Sequence, residues 1–193
     1  MLYVHPAMTS TPWREDPALR GCFHEEFADD LRVFVHEGGP RTTRAQPELM
    51  WVRLDAFDSV TEGGNVYRGE LLNEPHQLAS LKQGDEVLVL ACATAPHPIR
   101  VTRKYLAEMR DYQVITPCNR CGFAELFDAP SDLLAAIFPT MKPEDVMMSF
   151  TSFCPLCGGV QMVCSTAADV PQESAPAPPP APTRRWWELW KRQ

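Results

Sequence analysis

The chain has 193 residues, of which 45% are apolar and 22% are charged, values ordinary for a globular protein with a buried core. The net charge is −7. This charge is unevenly distributed. Residues 184–193 have a net charge of +3, and residues 1–183 have a net charge of −10 (14 basic against 24 acidic residues). A body this acidic repels phosphate backbones, which disfavours nucleic acid as a partner.

The cysteine content and the first residues predict a reducing compartment. Seven cysteines are an odd number, and four of them lie in two tight pairs, which is more typical of metal binding than of a disulfide framework. Residues 1–6 lack the basic start and the long apolar stretch of a secretory signal. No run approaches the roughly 20 apolar residues that span a bilayer. We therefore expect a cytoplasmic protein without a transmembrane segment.

The N-terminal half predicts a loose arm followed by strands. Residues 1–24 are rich in proline, threonine and charge without periodicity, so we expect a loose arm. Apolar alternation and β-branched or aromatic residues predict strands at 31–35 and 50–57. The segment 62–65 contains two glycines and an asparagine, which tolerate the positive φ of a tight hairpin turn. Residues 66–72 are the returning strand.

We place the predicted β-rich domain at 25–111, and its second half contains one more strand and a helical segment. A tight turn at Gly84 leads into a strongly apolar strand at 86–92, and helix-favouring residues occupy 102–110. Several short strands joined by glycine-containing turns are typical of a small bent sheet or a partly open barrel.

Two matched motifs of the form Cys-x-x-Cys-Gly, at 118–122 and 154–158, carry the clearest chemistry. Two intervening residues let both sulfurs of a turn reach one tetrahedral ion. The glycine relieves the backbone where it curls past the metal at positive φ. Predicted strands at 112–115 and 160–163 flank the motifs, as in a zinc ribbon. The predicted metal ligands are Cys118, Cys121, Cys154 and Cys157.

The 32 residues between Cys121 and Cys154 are more than a simple ribbon needs. Helix-start signals at residues 130 and 142 predict one or two short helices, at 130–138 and 142–148. These inserted helices explain the long interval between the cysteine pairs. We place this four-cysteine zinc-ribbon region at 112–166.

Other interpretations of the cysteines are four unligated buried thiols or a thioredoxin-like redox pair. A redox pair needs one motif that opens a helix after a buried strand, which two matched motifs do not resemble. Four thiolates fill a tetrahedral shell and leave no position for water, so the predicted zinc is structural. Cys164 is either a free thiol or a fifth thiol near the site. Cys22 and Cys92 are core or surface residues.

The sequence shows no catalytic constellation, and we assign no catalytic residue. The segment 24–26 begins like a zincin motif, but Ala28 occupies the position of the second histidine. His36, His76 and His97 lie beside turn residues, where a histidine is usually exposed or hydrogen-bonded. Phosphate loops, nucleophile elbows and dinucleotide fingerprints are absent from the sequence.

The C-terminal residues predict a spacer and a binding peptide. Residues 167–183 form a Pro-rich linker that favours polyproline II, a stiff spacer. Residues 184–193 form a Trp/Arg-rich peptide. Trp and Arg dominate protein-binding hot spots, so we expect a protein partner; a membrane surface and a return onto the chain's own domain are the alternatives. The predicted partner-binding residues are Arg185, Trp186, Trp187 and Trp190.

Three segments carry a resemblance to a known family: 47–52 (PELMWV), 69–75 (GELLNEP) and 81–87 (LKQGDEV). With them, residues 30–110 resemble the YegJ-like β-rich domain, a bacterial family of unknown function. A longer form of this family runs directly into two cysteine motifs with LFDAPSD, here 126–132, between them. The resemblance implies an architecture and a bacterial origin, and it brings no activity and no catalytic residues.

These observations predict an α+β chain in which a small bent sheet or partly open barrel precedes a zinc ribbon with inserted short helices. The expected function is a non-catalytic cytosolic interaction or regulatory module with structural zinc. One alternative is a nucleic-acid-binding zinc ribbon, although residues 112–164 carry two basic against five acidic residues. The other alternative is an enzyme with an unrecognised site in the β-rich domain.

Overall fold

The computed structural model describes residues 11–37, 45–142 and 147–166. Five strands form a closed barrel in which sequential neighbours are antiparallel, and a parallel pair between the first and last strands, Phe34 with Ile99, closes the ring. The strands are β1 (Asp30–Val35), β2 (Glu48–Thr61), β3 (Gly64–Leu71), β4 (Glu86–Leu90) and β5 (Ile99–Val101).

The curvature of the barrel comes from β2 and β3. Register shifts interrupt their pairing at 54–56 and 57–59, and such bulges bend a strand and increase its twist. At Gly69 in β3, a Cβ atom would lie 2.5 Å from the carbonyl oxygen of Arg53. The two strands therefore approach closely because this position has no side chain, and the sheet curls far enough to close.

A second sheet and two short helices complete the described fold. The sheet is antiparallel with the order β6-β8-β7. These elements are α1 (Arg103–Glu108), β6 (Tyr112–Thr116), α2 (Pro130–Ile137), β7 (Ser149–Phe153) and β8 (Val160–Ser165). Neither helix of the described ranges is long and apolar enough to cross a membrane.

The predicted fold class is confirmed. The sequence predicted a small bent sheet or a partly open barrel, and the structure contains a closed barrel. The strands predicted at 31–35, 50–57, 66–72 and 86–92 coincide with β1 to β4, although β2 is longer than predicted. The sequence did not predict β5 or β7. Pro96 and Pro98 hide β5, because proline weakens a strand signal, and β7 alternates only two phenylalanines with small polar residues.

The interval between the cysteine motifs contains the first of the two predicted helices, as α2. Pro130 begins it, as its fixed φ allows at a first helical position. The second predicted helix, at 142–148, falls mostly on residues outside the described ranges.

The expectation of a loose arm over residues 1–24 is wrong for residues 11–24. Two short 3₁₀ turns, Pro12–Glu15 and Pro17–Leu19, place Trp13 and Leu19 in the barrel core, where they are 5% and 0% exposed. This segment has no periodic signal, because single anchoring residues separated by turns produce none.

Asp16 fixes this segment to the barrel. Its carboxylate accepts hydrogen bonds from the Asn65 amide at 2.8 Å and from the Tyr67 hydroxyl at 2.7 Å, and it also caps the second turn through the Ala18 backbone N–H. Burial, followed by the bond to Asp16, raises the pKa of Tyr67. The buried hydroxyl therefore stays a donor, and the Asp16 carboxylate is its acceptor.

A shared hydrophobic cluster crosses the predicted boundary between residues 111 and 112. The barrel and the cysteine-rich region bury side chains against each other in it, so the two are packed as neighbours. Its members include Val66, Leu88, Leu90, Ile99 and Val101 from the barrel, and Phe123, Leu126, Phe127, Leu133 and Phe150 from the other side.

His36 adds a polar contact at this junction. The side chain is 3% exposed, its Nδ1 lies 3.3 Å from an Asp128 carboxylate oxygen, and its ring packs edge-on against Phe127. Burial, aided by the positive charge of Arg100, lowers the pKa of His36 to about 3. The imidazole is therefore neutral at ordinary pH, and it serves as a structural contact.

Replacing Asp16 tests how firmly the N-terminal segment is attached. Asp16→Ala removes the acceptor of two side-chain donors, one of them a buried hydroxyl, so we expect a loss of about 2–3 kcal/mol in the free energy of unfolding. Urea denaturation measures it. Glu15→Ala, one residue away and exposed, is the control and should change stability by less than about 0.5 kcal/mol. Equal effects of the two variants would contradict the role of Asp16.

Candidate metal centre

The four cysteines of the two motifs meet at one point. Their sulfur atoms all lie within 4.8 Å of one another. The Sγ–Sγ distance is 3.5 Å between Cys118 and Cys157, 3.6 Å between Cys121 and Cys154, and 3.5 Å between Cys121 and Cys157. A tetrahedral ion with sulfurs at about 2.3 Å requires separations of about 3.8 Å. The cluster could bind a metal ion such as zinc.

Each motif forms the same backbone turn. The amides of Gly122 and Gly158 donate to the carbonyls of Cys118 and Cys154, at 2.9 and 2.8 Å. Both glycines have the positive φ that the sequence predicted, +75° and +67°. Each turn is closed by a second bond, from the first cysteine's N–H to the carbonyl of the residue five positions on. The two halves of the site are thus structural repeats.

Side chains other than those of the cysteines lock the two turns together. The Asn119 side-chain oxygen accepts a hydrogen bond from the backbone N–H of Val160 at 3.0 Å. The backbone N–H of Asn119 donates in return to the Val160 carbonyl. Gln161 is fully buried, and its side-chain amide donates to the carbonyls of Phe123 and Glu125. The sequence did not single out these residues, since an isolated Asn or Gln carries no spacing signal.

Gly159 is a further site residue that the sequence analysis missed. A Cβ atom at this position would lie 2.5 Å from the Cys118 sulfur and 2.9 Å from the Asn119 side-chain oxygen. The second turn can therefore approach the first only because residue 159 has no side chain. The sequence did contain a signal for this residue. The second motif ends in two consecutive glycines, Gly158 and Gly159, whereas Gly122 of the first motif is followed by a phenylalanine.

The site is buried on one side and open on the other. Cys118 and Cys154 are 4% and 0% exposed, Cys157 is half-buried, and Cys121 is exposed. Burial opposes ionisation of Cys118, but N–H groups of Cys121 and Arg120 point at its sulfur, and together these influences lower the pKa of Cys118 to about 6. Backbone amides thus favour the thiolate of Cys118, the form that binds metal, whereas burial raises the pKa of Cys154 and Cys157.

The remaining cysteines lie apart from the cluster. Cys164 is a half-buried free thiol in β8 and is not one of the four clustered residues. Cys22 and Cys92 are buried core residues, one in each hydrophobic cluster. The predicted partner-binding residues Arg185, Trp186, Trp187 and Trp190 lie outside the described ranges, as does the Pro-rich linker.

Gly159→Ala tests whether the close approach of the two turns sets the metal affinity. The added methyl group collides with a ligand sulfur, so we expect the affinity for zinc to fall roughly 10- to 100-fold. Competition with a chromophoric zinc chelator measures it. Gly63→Ala is the matched control, because its Cβ would meet no atom nearer than 3.6 Å. Wild-type affinity in the Gly159 variant would show that the turns separate without cost.

Comparisons of the chain with protein-family models, with curated proteins and with solved structures find no match. The resemblance of residues 30–110 to the YegJ-like domain therefore stays a hypothesis. The site is characterised by its own geometry: it is a four-cysteine cluster, built from two repeated turns, that could bind a metal ion such as zinc.

Proposed function

We propose that this protein is a non-catalytic interaction or regulatory module of the bacterial cytosol, held together by one structural zinc ion. The observation that carries the proposal is the convergence of four cysteine sulfurs within 4.8 Å, from two segments far apart in the chain. Sulfur-only tetrahedral sites are characteristic of structural zinc, because zinc prefers thiolates and such a shell has no position left for a substrate or water.

The location of the site supports a structural role. Cys118 and Cys154 belong to the hydrophobic cluster that joins the barrel to the second sheet, and Cys121 and Cys154 delimit the segment that contains α2. A metal ion bound by both motifs closes this segment into a loop. In small zinc peptides, metal binding contributes on the order of 10 kcal/mol to folding. Zinc would thus organise the junction as well as the two turns.

The C-terminal peptide is the proposed point of contact with a protein partner. Residues 184–193 combine three tryptophans with four basic residues. Tryptophan and arginine supply a large share of binding free energy at protein interfaces, since they bury wide surfaces and donate directional hydrogen bonds. The acidic remainder of the chain favours a protein over a nucleic acid as the partner.

Cys154→Ser tests the zinc site. We expect one zinc ion per wild-type chain and less than a tenth of that in the variant, with a lower melting temperature, because a serine hydroxyl is a poor zinc ligand. Elemental analysis of the purified protein measures the metal. Cys164→Ser is the matched control on the neighbouring strand and should keep one zinc per chain. Full zinc content and stability in the Cys154 variant would refute the site.

The tail is tested by replacing its tryptophans in the full-length chain. Affinity purification from a bacterial lysate, with quantitative mass spectrometry, should show at least a tenfold loss of one or more partners for the triple variant Trp186→Ala, Trp187→Ala and Trp190→Ala. Glu188→Ala is the control within the same peptide and should retain them. Identical partner profiles for the triple variant and the wild type would remove the docking role.

A further inference from the structure

A cleft lies where the barrel meets the second sheet. Its volume is about 820 Å³, which is within the range of ligand-binding pockets. Its walls are the tip of the β2–β3 hairpin at residues 60–63, helix α1 with the turn that follows it, and strand β6. The cysteine cluster does not line this cleft, so the cleft is separate from the candidate metal centre.

The lining of the cleft combines apolar side chains with hydrogen-bond acceptors. Val60, Leu106, Met109 and Val114 supply the accessible apolar surface. An occupant with a large apolar body is therefore favoured here, because binding would remove that surface from water.

Two polar side chains of the cleft favour an occupant that donates hydrogen bonds. Tyr105 is 2% exposed, and its hydroxyl forms no hydrogen bond with the part of the chain that the structure describes. Glu125 accepts from the Thr94 hydroxyl at 2.9 Å, and burial raises the pKa of Glu125. A carboxylate can accept about four hydrogen bonds, so Glu125 has acceptor capacity left for a ligand.

The wall formed by β6 offers backbone pairing as well. Among the strands of residues 11–37, 45–142 and 147–166, β6 lies at an edge of the order β6-β8-β7 and pairs with β8 alone. An edge strand can pair with an extended peptide, which is a common mode of peptide recognition. The cleft thus combines an apolar surface, acceptor groups and a strand at the edge of the described sheet, the features that suit an extended peptide with apolar and donor side chains.

We propose that this cleft binds the chain's own C-terminal peptide, residues 184–193. Tryptophan has a large apolar body and a single N–H donor, and a buried indole usually finds an acceptor. The Tyr105 hydroxyl and the Glu125 carboxylate are such acceptors. The peptide carries +3 and residues 1–183 carry −10, so the overall charges attract.

The chain leaves the described structure at the cleft. Thr166, the last described residue, donates from its backbone N–H to the Asp111 carbonyl and from its hydroxyl to the carbonyl of Arg110, which lines the cleft. Residues 167–183 then separate Thr166 from the peptide. A linker of this length spans roughly 20–25 Å as a random coil and about 50 Å as polyproline II, so either form reaches the cleft.

This inference goes beyond the proposed function, because it concerns the protein without its partner. A tethered peptide meets its own cleft at a local concentration of the order of millimolar. A partner of the Trp/Arg peptide must therefore compete with the cleft, and a second ligand that fills the cleft would release the peptide. Binding of the peptide to its own cleft would then lower the apparent affinity of the peptide for its partner.

Photo-crosslinking of the full-length, zinc-loaded chain tests the proposal. A benzophenone amino acid replaces Trp187, and mass spectrometry maps the crosslinks after irradiation. We expect crosslinks within one chain to the segments 60–63, 105–114 or 124–125, in a yield independent of protein concentration. Crosslinks to another face, crosslinks mainly between chains, or no crosslinks to the body would each overturn the proposal.

Two charge-matched variants give the control. Val60 lines the cleft and is 69% exposed, so Val60→Arg should fold normally while it repels the basic peptide. We expect it to reduce the cleft crosslinks at least tenfold. Met162→Arg adds the same charge on the second sheet, at a side chain 43% exposed outside the cleft lining, and should leave the crosslinks unchanged. Equal yields in the two variants would refute the cleft as the docking site. Zinc content is measured in parallel, so a failure here is distinct from a failure of the metal site.

Discussion

The hydrophobic contact between the barrel and the cysteine-rich region is the constraint on which the other features depend. Phe123, Leu126 and Phe127 follow the first cysteine motif directly and pack against the barrel strands. Burying side chains of this size contributes about 1.5–3 kcal/mol each, so their positions are strongly fixed. The same contact holds β6 beside the β2–β3 hairpin and creates the cleft between them. The four-cysteine cluster and the cleft therefore both lie at one packed junction.

The cysteine cluster and this junction support each other. The two motifs are distant in sequence, and without a packed core a metal ion would have to order the intervening segment alone. Gln161 links them, because its buried side-chain amide donates to the carbonyls of Phe123 and Glu125, which follow the first motif. A metal ion bound by all four thiolates in such a frame would hold chain segments together and would have no free position for catalysis. This is why the proposed function rests on interaction and not on a reaction.

Local chemistry made part of the structure predictable. The strands β1 to β4 were predicted because apolar alternation and glycine turns are local signals, and the cysteine motifs because metal ligands require a fixed spacing. The short strand β5 and the anchored segment around Trp13 were not. Each depends on partners far away in sequence: β5 pairs with β1 and β4, and Asp16 binds Asn65 and Tyr67.

The sequence by itself determined the four candidate ligands, the glycines at positive φ and the contrast between an acidic body and a basic, Trp-rich peptide. Only the tertiary structure decided that the barrel closes, that residues 11–24 place Trp13 and Leu19 in its core and that a cleft opens beside β6. It also decided that Gly159 matters, because the need for glycine there comes from the sulfur of Cys118 across the site. Bond geometry and charge belong to individual residues, so a sequence reveals them. Close approach and burial belong to pairs of residues that only the folded chain brings together.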